Sequence, residues 1–318
     1  MLCAEVVPSP CSNLLISLPG AAGDHAAAQS SVSSNPSPAS SIGSGSKTEP
    51  ISLDFIALDR HGQPVADLKP EELHLTLNKV EQKIEGLTPA AGEPLTIGLF
   101  FDVSGSRHLD THVEDETRLA SELLRAVWHE GDAGFLIAFN DEAWAVVQPT
   151  HKLEEIDKGL KQILETEPRG STALYDALCL VKPAQLNAVP GRKAYVVFSD
   201  FEDNASRNKA ENVLAVAHQA GIFIFPVILG GDFVRSRSNP KQFERLGRQA
   251  QKVIDAAGGE VLIPESRKQL AKMIERLAND LKGFYRLVYT PSEPGVKGKK
   301  KNLRLDTTRP QVNLLYPK

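Results

Sequence analysis

The chain has 318 residues, 41% hydrophobic and 24% charged, with a formal net charge of −4. This length suits one large domain or two ordinary ones, and the balance suits a soluble globular protein. It excludes strong basicity as a sign of a nucleic-acid partner, and no apolar run reaches the ~18–20 residues of a transmembrane segment.

Three cysteines, Cys3, Cys11 and Cys179, are too few and too scattered for a disulfide framework or a zinc knuckle. Cys179 falls on an apolar helix face and reads as a core residue.

Residues 1–49 are rich in Ser, Ala, Pro and Gly and lack aromatic side chains. Such a stretch cannot bury enough apolar surface to offset its chain entropy, so it reads as a disordered leader or a degenerate signal segment. Leu14-Leu15-Ile16-Ser17-Leu18 is a short apolar run broken by Pro19-Gly20, and no Lys or Arg precedes Lys47. The expected setting is extracytoplasmic or secreted, with the cytoplasm as the alternative.

Residues 50–92 form the first part of a small β module. Ile51 to Asp59 begins with strand alternation, and Asp59 to Val65 reads as a hairpin turn leading into a second strand. Glu72 to Asn78 alternates polar with apolar residues, and a further short strand is expected near Gln82 to Leu87. So few strands cannot readily bury a face alone.

Residues 93–283 alternate strands with helices. Expected strands are Leu95–Phe101, Ala133–Phe139, Ala143–Val147, Lys193–Ser199, Gly221–Ile228 and Glu260–Ile263. Expected helices are Val113–Trp128, Lys152–Leu164, Thr172–Val181, Asn208–Ala220, Gln242–Ala257 and Arg267–Leu281. This order predicts an α/β fold with a doubly wound, mostly parallel sheet covered on both faces. Residues 284–318 return to strands at Tyr285–Tyr289, Asn302–Asp306 and Val312–Tyr316, expected to pair with the early β segments. The β module is then split between the two flanks.

One constellation stands out. Leu99 to Phe101 leads directly into Asp102-Val103-Ser104-Gly105-Ser106, which sets one carboxylate and two hydroxyls on a tight loop. Thr172 follows Gly170-Ser171 at an expected helix start, and Asp200 closes the apolar strand Ala194 to Ser199. In open α/β sheets, ligands sit beyond the carboxyl ends of the strands, where these three loops converge. Hard divalent cations take oxygen ligands, and neutral hydroxyls leave the cation much of its charge for an incoming carboxylate.

Asp102-x-Ser104-x-Ser106, Thr172 and Asp200 together resemble the metal-ion-dependent adhesion site of von Willebrand factor A domains. The resemblance runs from about Pro94 to Gly283. The flanks, with Asp59 to Pro64, Leu68 to Leu73 and Tyr285 to Tyr289, resemble bacterial von Willebrand factor A-related proteins with added β segments. It implies Ser104, Ser106 and Thr172 as direct ligands of Mg²⁺ (or Mn²⁺), with Asp102 and Asp200 acting through water or balancing charge. It also implies a non-enzymatic adhesion or assembly module whose protein partner offers a Glu or Asp carboxylate. Two positions depart from the pattern: Phe201 stands where the family often has Gly, and Arg107 follows the Ser-x-Ser loop.

Competing readings are a structural module of a cell-envelope assembly with a lapsed metal site, and a haloacid dehalogenase-like phosphatase. In the latter Asp102 attacks phosphorus, Ser199 or Lys193 holds phosphate, and Asp200 or Asp203 holds Mg²⁺. Ser104 occupies the position where that chemistry needs a second Asp as general acid. His108 and His112, at i and i+4, read as a solvated helix start because the adjacent Glu of the zinc-protease motif is absent. Glu202-Asp203-Asn204 reads as a solvated turn, Asn204-Ala205-Ser206 as a chance glycosylation tripeptide, and Lys297 to Lys301 as a solvated loop. Trp128 and Trp144 read as core or edge packing.

Overall fold

The computed structural model describes residues 49–105, 113–228, 248, 250–254, 257–264, 267–292 and 302–317. The leader, Ser106, Arg107, His108, His112 and the Lys297–Lys301 cluster lie outside these residues, as does most of the stretch expected as a helix at Gln242–Ala257.

The central layer is a five-stranded sheet. Its strands are β5 (Leu95–Asp102), β6 (Ala133–Phe139), β7 (Ala143–Thr150), β8 (Arg192–Phe198) and β9 (Ile222–Val227), following β1 to β4 in the flanking module. The order is β7-β6-β5-β8-β9, parallel throughout except for the antiparallel edge strand β7. The fold is therefore α/β, with a mostly parallel sheet.

Every residue of β5, β6, β8 and β9 is buried, as a sheet covered on both faces requires. The period-2 alternation of side chains sorts them into two cores. Leu95, Ile97, Leu99 and Phe101 of β5 enter one core with α1 (Val113–Val127), α2 (Leu153–Glu165) and the last helix, α6 (Arg267–Lys282). Phe100 enters the other, with Phe135, Tyr195 and the helices α3 (Leu174–Leu178), α4 (Pro183–Asn187) and α5 (Ala210–Ala220). The rings of Phe100 and Tyr195 lie 4.6 Å apart, and both contact Phe135 nearly edge-on.

The flanks of the chain meet in two antiparallel sheets. One has the order β12 (Val312–Leu315), β1 (Ile51–Asp59), β10 (Phe284–Tyr289), β4 (Ile84–Pro89). The other has the order β11 (Leu303–Thr307), β2 (Leu73–Leu77), β3 (Val80–Gln82). Ile51 pairs with Tyr289, Ile56 with Leu315, and Leu75 with Leu305. Phe55, Ala57, Tyr285 and Leu287 face Leu73, Leu75 and Leu305 in a third core. Ile56, Leu58 and Phe284 point the other way, into the core shared with α1 and α6. The four-stranded sheet thus supplies a face to each of two cores. Arg286 fastens it with bidentate bonds to Asp54, 2.8 and 2.9 Å, and one to Glu93, 2.7 Å.

Several elements differ from the sequence reading. The strand expected across Gln82–Leu87 is two strands in different sheets, β3 and β4. The break falls where the Gln82 side chain turns inward, bonding Val80 O and Ser292 Oγ while its own oxygen accepts from Ser292 N. After the Asp59 turn there is one bridge, Leu58 to Pro64, and no second strand, since proline has no N–H to donate to a ladder. Glu260–Ile263 likewise reduces to a bridge between Val227 and Leu262. The helix expected over Thr172–Val181 shrinks to the five residues of α3, followed by α4 beyond Lys182-Pro183. Trp128 and Trp144 are partly buried against the first core. Cys179 packs partly buried against the second, and burial pushes its thiol up to about 11.

The α6 helix carries one costly residue. Asp280 is 0% exposed, with Arg276 Nε 3.4 Å from its Oδ1, while Arg276 Nη2 reaches Glu260 Oε2 at 2.8 Å. Burial, with Glu260 nearby, pushes the Asp280 carboxyl up to about 8, against the opposing pull of Arg276.

Candidate functional site

Asp102 is the last residue of β5 and lies at the carboxyl rim of the sheet, as do Ser199 and Asp200 just after β8. Asp102 is buried, and both of its oxygens are held. Oδ1 accepts from Ser104 N at 3.0 Å, which closes the loop, and Oδ2 accepts from Ser199 Oγ at 2.7 Å. The Ser199 hydroxyl in turn accepts from Phe201 N at 3.0 Å. One serine therefore ties the first loop to the third.

The second loop is docked onto the first through backbone. Gly105 N donates to Gly170 O at 2.9 Å, and Arg169 N donates to Val103 O at 3.0 Å. Gly170 has φ +76°, a conformation glycine adopts freely, and a Cβ there would meet only the exposed end of the Asp141 side chain. Ala173 N closes the loop onto the end of β6, donating to Asn140 O at 2.6 Å.

Thr172 is buried and clamped by the third loop. Its N–H donates to Asn204 Oδ1 at 2.8 Å, and its carbonyl accepts from Asn204 N and Ala205 N, both at 3.0 Å. Its hydroxyl has no hydrogen-bond partner among the described residues. Asp200 is half-buried, and its Oδ1 accepts from Glu202 N at 2.9 Å.

Four of the five expected ligand residues, Asp102, Ser104, Thr172 and Asp200, thus stand on three loops joined to one another at one rim. Ser106 lies outside the described residues.

The reading of Glu202-Asp203-Asn204 as a solvated turn is corrected. Asn204 holds Thr172. Asp203 Oδ1 accepts from Ser206 Oγ at 2.6 Å and lies 3.4 Å from Tyr175 N, while Asp176 N donates to Ser206 Oγ at 3.0 Å. Asp176 returns the contact, accepting from the N–H groups of Arg207 and Asn208. These positioning residues escape a search for ligand types. The available signal is the density of short Asp, Asn and Ser side chains three to eight positions after Asp200, the residues that bond nearby backbone.

Phe201 has φ +60° and is 1% exposed, its ring in the second core. The chain needs a left-handed residue immediately after Asp200, the conformation glycine adopts freely and other residues adopt at a cost. Here the side chain turns away from the rim and into the apolar interior.

The phosphatase arrangement does not fit. Lys193 is the second residue of β8, and the five residues from it to Phe198, at ~3.3 Å each, put it roughly 17 Å from the rim that carries Asp102. Ser199 is already engaged with Asp102 itself.

The donors at the rim are all oxygens, two carboxylates with the hydroxyls of Ser104 and Thr172, which suits a hard divalent cation. Each Asp102 oxygen makes one bond, and a carboxylate oxygen can accept another. Among the described residues there is no cluster of three or more His, Cys, Asp or Glu able to hold a metal, so a site of the zinc-enzyme kind is not formed there.

No protein-family model matches the chain, and no curated protein matches it. Solved structures match parts of it, and von Willebrand factor A domains are among them. Proximal thread matrix protein 1 from the mussel byssus, with a zinc-occupied MIDAS motif, is 16% identical, with a TM-score of 0.47 over 63% of this chain and 48% of that chain. A von Willebrand factor type A protein from Catenulispora acidiphila is 12% identical, with a TM-score of 0.44 over 86% and 73%. Manganese-loaded TRAP from Plasmodium vivax is 11% identical, with a TM-score of 0.44 over 74% and 83%. The chain spans about half the length of the mussel protein.

Proposed function

We propose that this protein is a divalent-metal-dependent protein-binding module, acting in adhesion or assembly, with Mg²⁺ or Mn²⁺ held at the Asp102 rim. The observation that carries this reading is the Thr172 hydroxyl. Thr172 is buried at the rim, on a loop locked to the Asp102 loop and to Asn204, and its hydroxyl makes no hydrogen bond among the described residues. Ser104, Ser106 and Thr172 are the proposed direct ligands, and Asp102 and Asp200 hold the outer positions and balance charge. When bound, the cation would supply Lewis-acid charge and an open position for a Glu or Asp carboxylate of the partner.

The chain's own residues do the preparatory work. Ser199 and Ser104 N fix both oxygens of Asp102, so the carboxylate does not reorganise on binding. Asn204 fixes the Thr172 backbone and thereby aims its hydroxyl. Neutral hydroxyls as direct ligands leave the cation's inner shell short of negative charge, which favours an incoming carboxylate over a neutral group. The reading is non-enzymatic. It also places the protein outside the cytoplasm, on the strength of the leader's composition and its short apolar run.

Calorimetric titration of Mg²⁺ and Mn²⁺ into the full chain tests the reading, with Asp102→Ala and Thr172→Ala as comparisons. Saturable binding is expected in the native protein, lost in Asp102→Ala and weakened at least tenfold in Thr172→Ala. Binding to Asp102→Ala as tight as to the native protein overturns it. Mg²⁺-dependent hydrolysis of a simple phosphomonoester, abolished by Asp102→Ala, would restore the enzymatic alternative.

A further inference from the structure

A cavity of about 720 Å³ opens at the other end of the five-stranded sheet, where the strand starts meet the four-stranded sheet of the β module. Its size falls in the range of small-molecule sites. Lys193 and Phe223, near the starts of β8 and β9, line one side, and Leu53, Leu77, Tyr289 and Leu303 of the β module line the other. Ser52, Asn187 and His218 border it as well, so the walls mix apolar surface with polar groups.

The polar groups divide into a closed pair and an open one. Arg286 also borders the cavity, but its guanidinium is taken up by Asp54 and Glu93. Lys193 is 8% exposed, and its Nζ makes one bond, to Gly191 O at 3.2 Å. An ammonium has three donors, and among the described residues this one forms no ion pair. A buried charge without a counter-charge is costly, and an anion arriving in the cavity would remove that cost. Burial, and the nearby Arg286, lower the pKa of Lys193 against the opposing pull of Asp54 and Glu93. A ligand carboxylate would act in the same direction as those two acids.

We propose that this cavity binds a small organic acid, one carboxylate seated on Lys193 with an apolar body lying against Leu53, Leu77, Phe223, Tyr289 and Leu303. The site is separate from the Asp102 rim and does not depend on metal. Leu53, Leu77, Phe223, Tyr289 and Leu303 offer surface to an apolar body, and Lys193 offers charge to one carboxylate.

Calorimetric titration of sodium decanoate into the full chain, in the presence of EDTA, tests the proposal. Decanol serves as the uncharged counterpart and inorganic phosphate as the anion without an apolar body. Lys193→Met removes the charge at similar length, and Leu303→Trp fills the cavity while keeping the charge. Saturable decanoate binding is expected, weakened tenfold or more by Lys193→Met, with decanol binding not weakened by that change. Absence of saturable decanoate binding, or Lys193→Met binding within twofold of native, overturns the proposal. Phosphate binding as tightly as decanoate overturns it as well. Should Lys193→Met fail to fold, Leu303→Trp decides on the same twofold criterion.

Discussion

Phe201 combines two opposed contributions, and replacing it separates them. Its ring is buried in the second core, and truncation of a buried Phe to Ala costs about 3–5 kcal/mol. Its backbone is left-handed at φ +60°, which costs a residue with a Cβ about 1–2 kcal/mol. Phe201→Ala loses the ring and keeps the backbone cost. Phe201→Gly loses the ring and the backbone cost together, offset by about 0.4–1 kcal/mol of extra unfolded-chain entropy. Both variants should be less stable than the native protein, with the glycine variant the more stable of the two by about 0.5–1 kcal/mol. At ordinary helix or strand positions that order is reversed. Thermal unfolding of the three proteins side by side gives the answer, since about 1 kcal/mol moves the midpoint by ~2–4 °C in a domain of this class. An alanine variant as stable as the glycine variant, or more so, would refute the argument that this position demands a left-handed residue.

Three further outcomes are expected. Between its ordinary value of 3.8 and the folded value of about 8, Asp280 keeps in the folded state a proton that the unfolded chain has released. Its contribution therefore favours the fold most at low pH and fades as pH rises through that window, by up to about 1.4 kcal/mol per pH unit, then stays flat. Asp280→Asn should remove this slope and raise stability at pH 9, as read by denaturant unfolding across the pH range. Asn204→Ala should lower stability by about 1 kcal/mol through the lost bond to Thr172 N and weaken Mg²⁺ binding without touching a ligand, both measurable on one preparation. Gly170→Ala puts a Cβ in a left-handed position and should cost about 1–2 kcal/mol, the exposed Asp141 side chain moving aside; unchanged stability would contradict a left-handed backbone at Gly170.

Much of the architecture is legible in periodicity. The apolar runs at Leu99–Phe101 and Tyr195–Phe198 read as strands covered on both faces, as they are, and each leads into an oxygen-bearing residue on the rim. The alternation at Ile51 and Tyr285 likewise announces strands with one face to bury, and the structure pairs them directly. The missing parts depend on contacts across the fold. Gln82 ends a strand because Ser292, more than 200 positions away, satisfies its amide. Phe201 carries no local sign of a left-handed backbone, since its burial is what holds it there. Asn204 looks like any turn residue until Thr172 is seen against it.

The pairing of Ile51–Asp59 with Phe284–Tyr289 and Val312–Leu315 fixes an order of events during synthesis. β1 leaves the ribosome ahead of the whole α/β domain, and its partners β10 and β12 leave after it. The α/β domain, whose parallel strands find one another within the intervening stretch, can close while β1, β2 and β4 wait with open edges. Unpaired edges of this kind are sites of intermolecular association. The protein is therefore most exposed to misassembly after its central domain has folded and before β10 and β12 arrive to close the ladder.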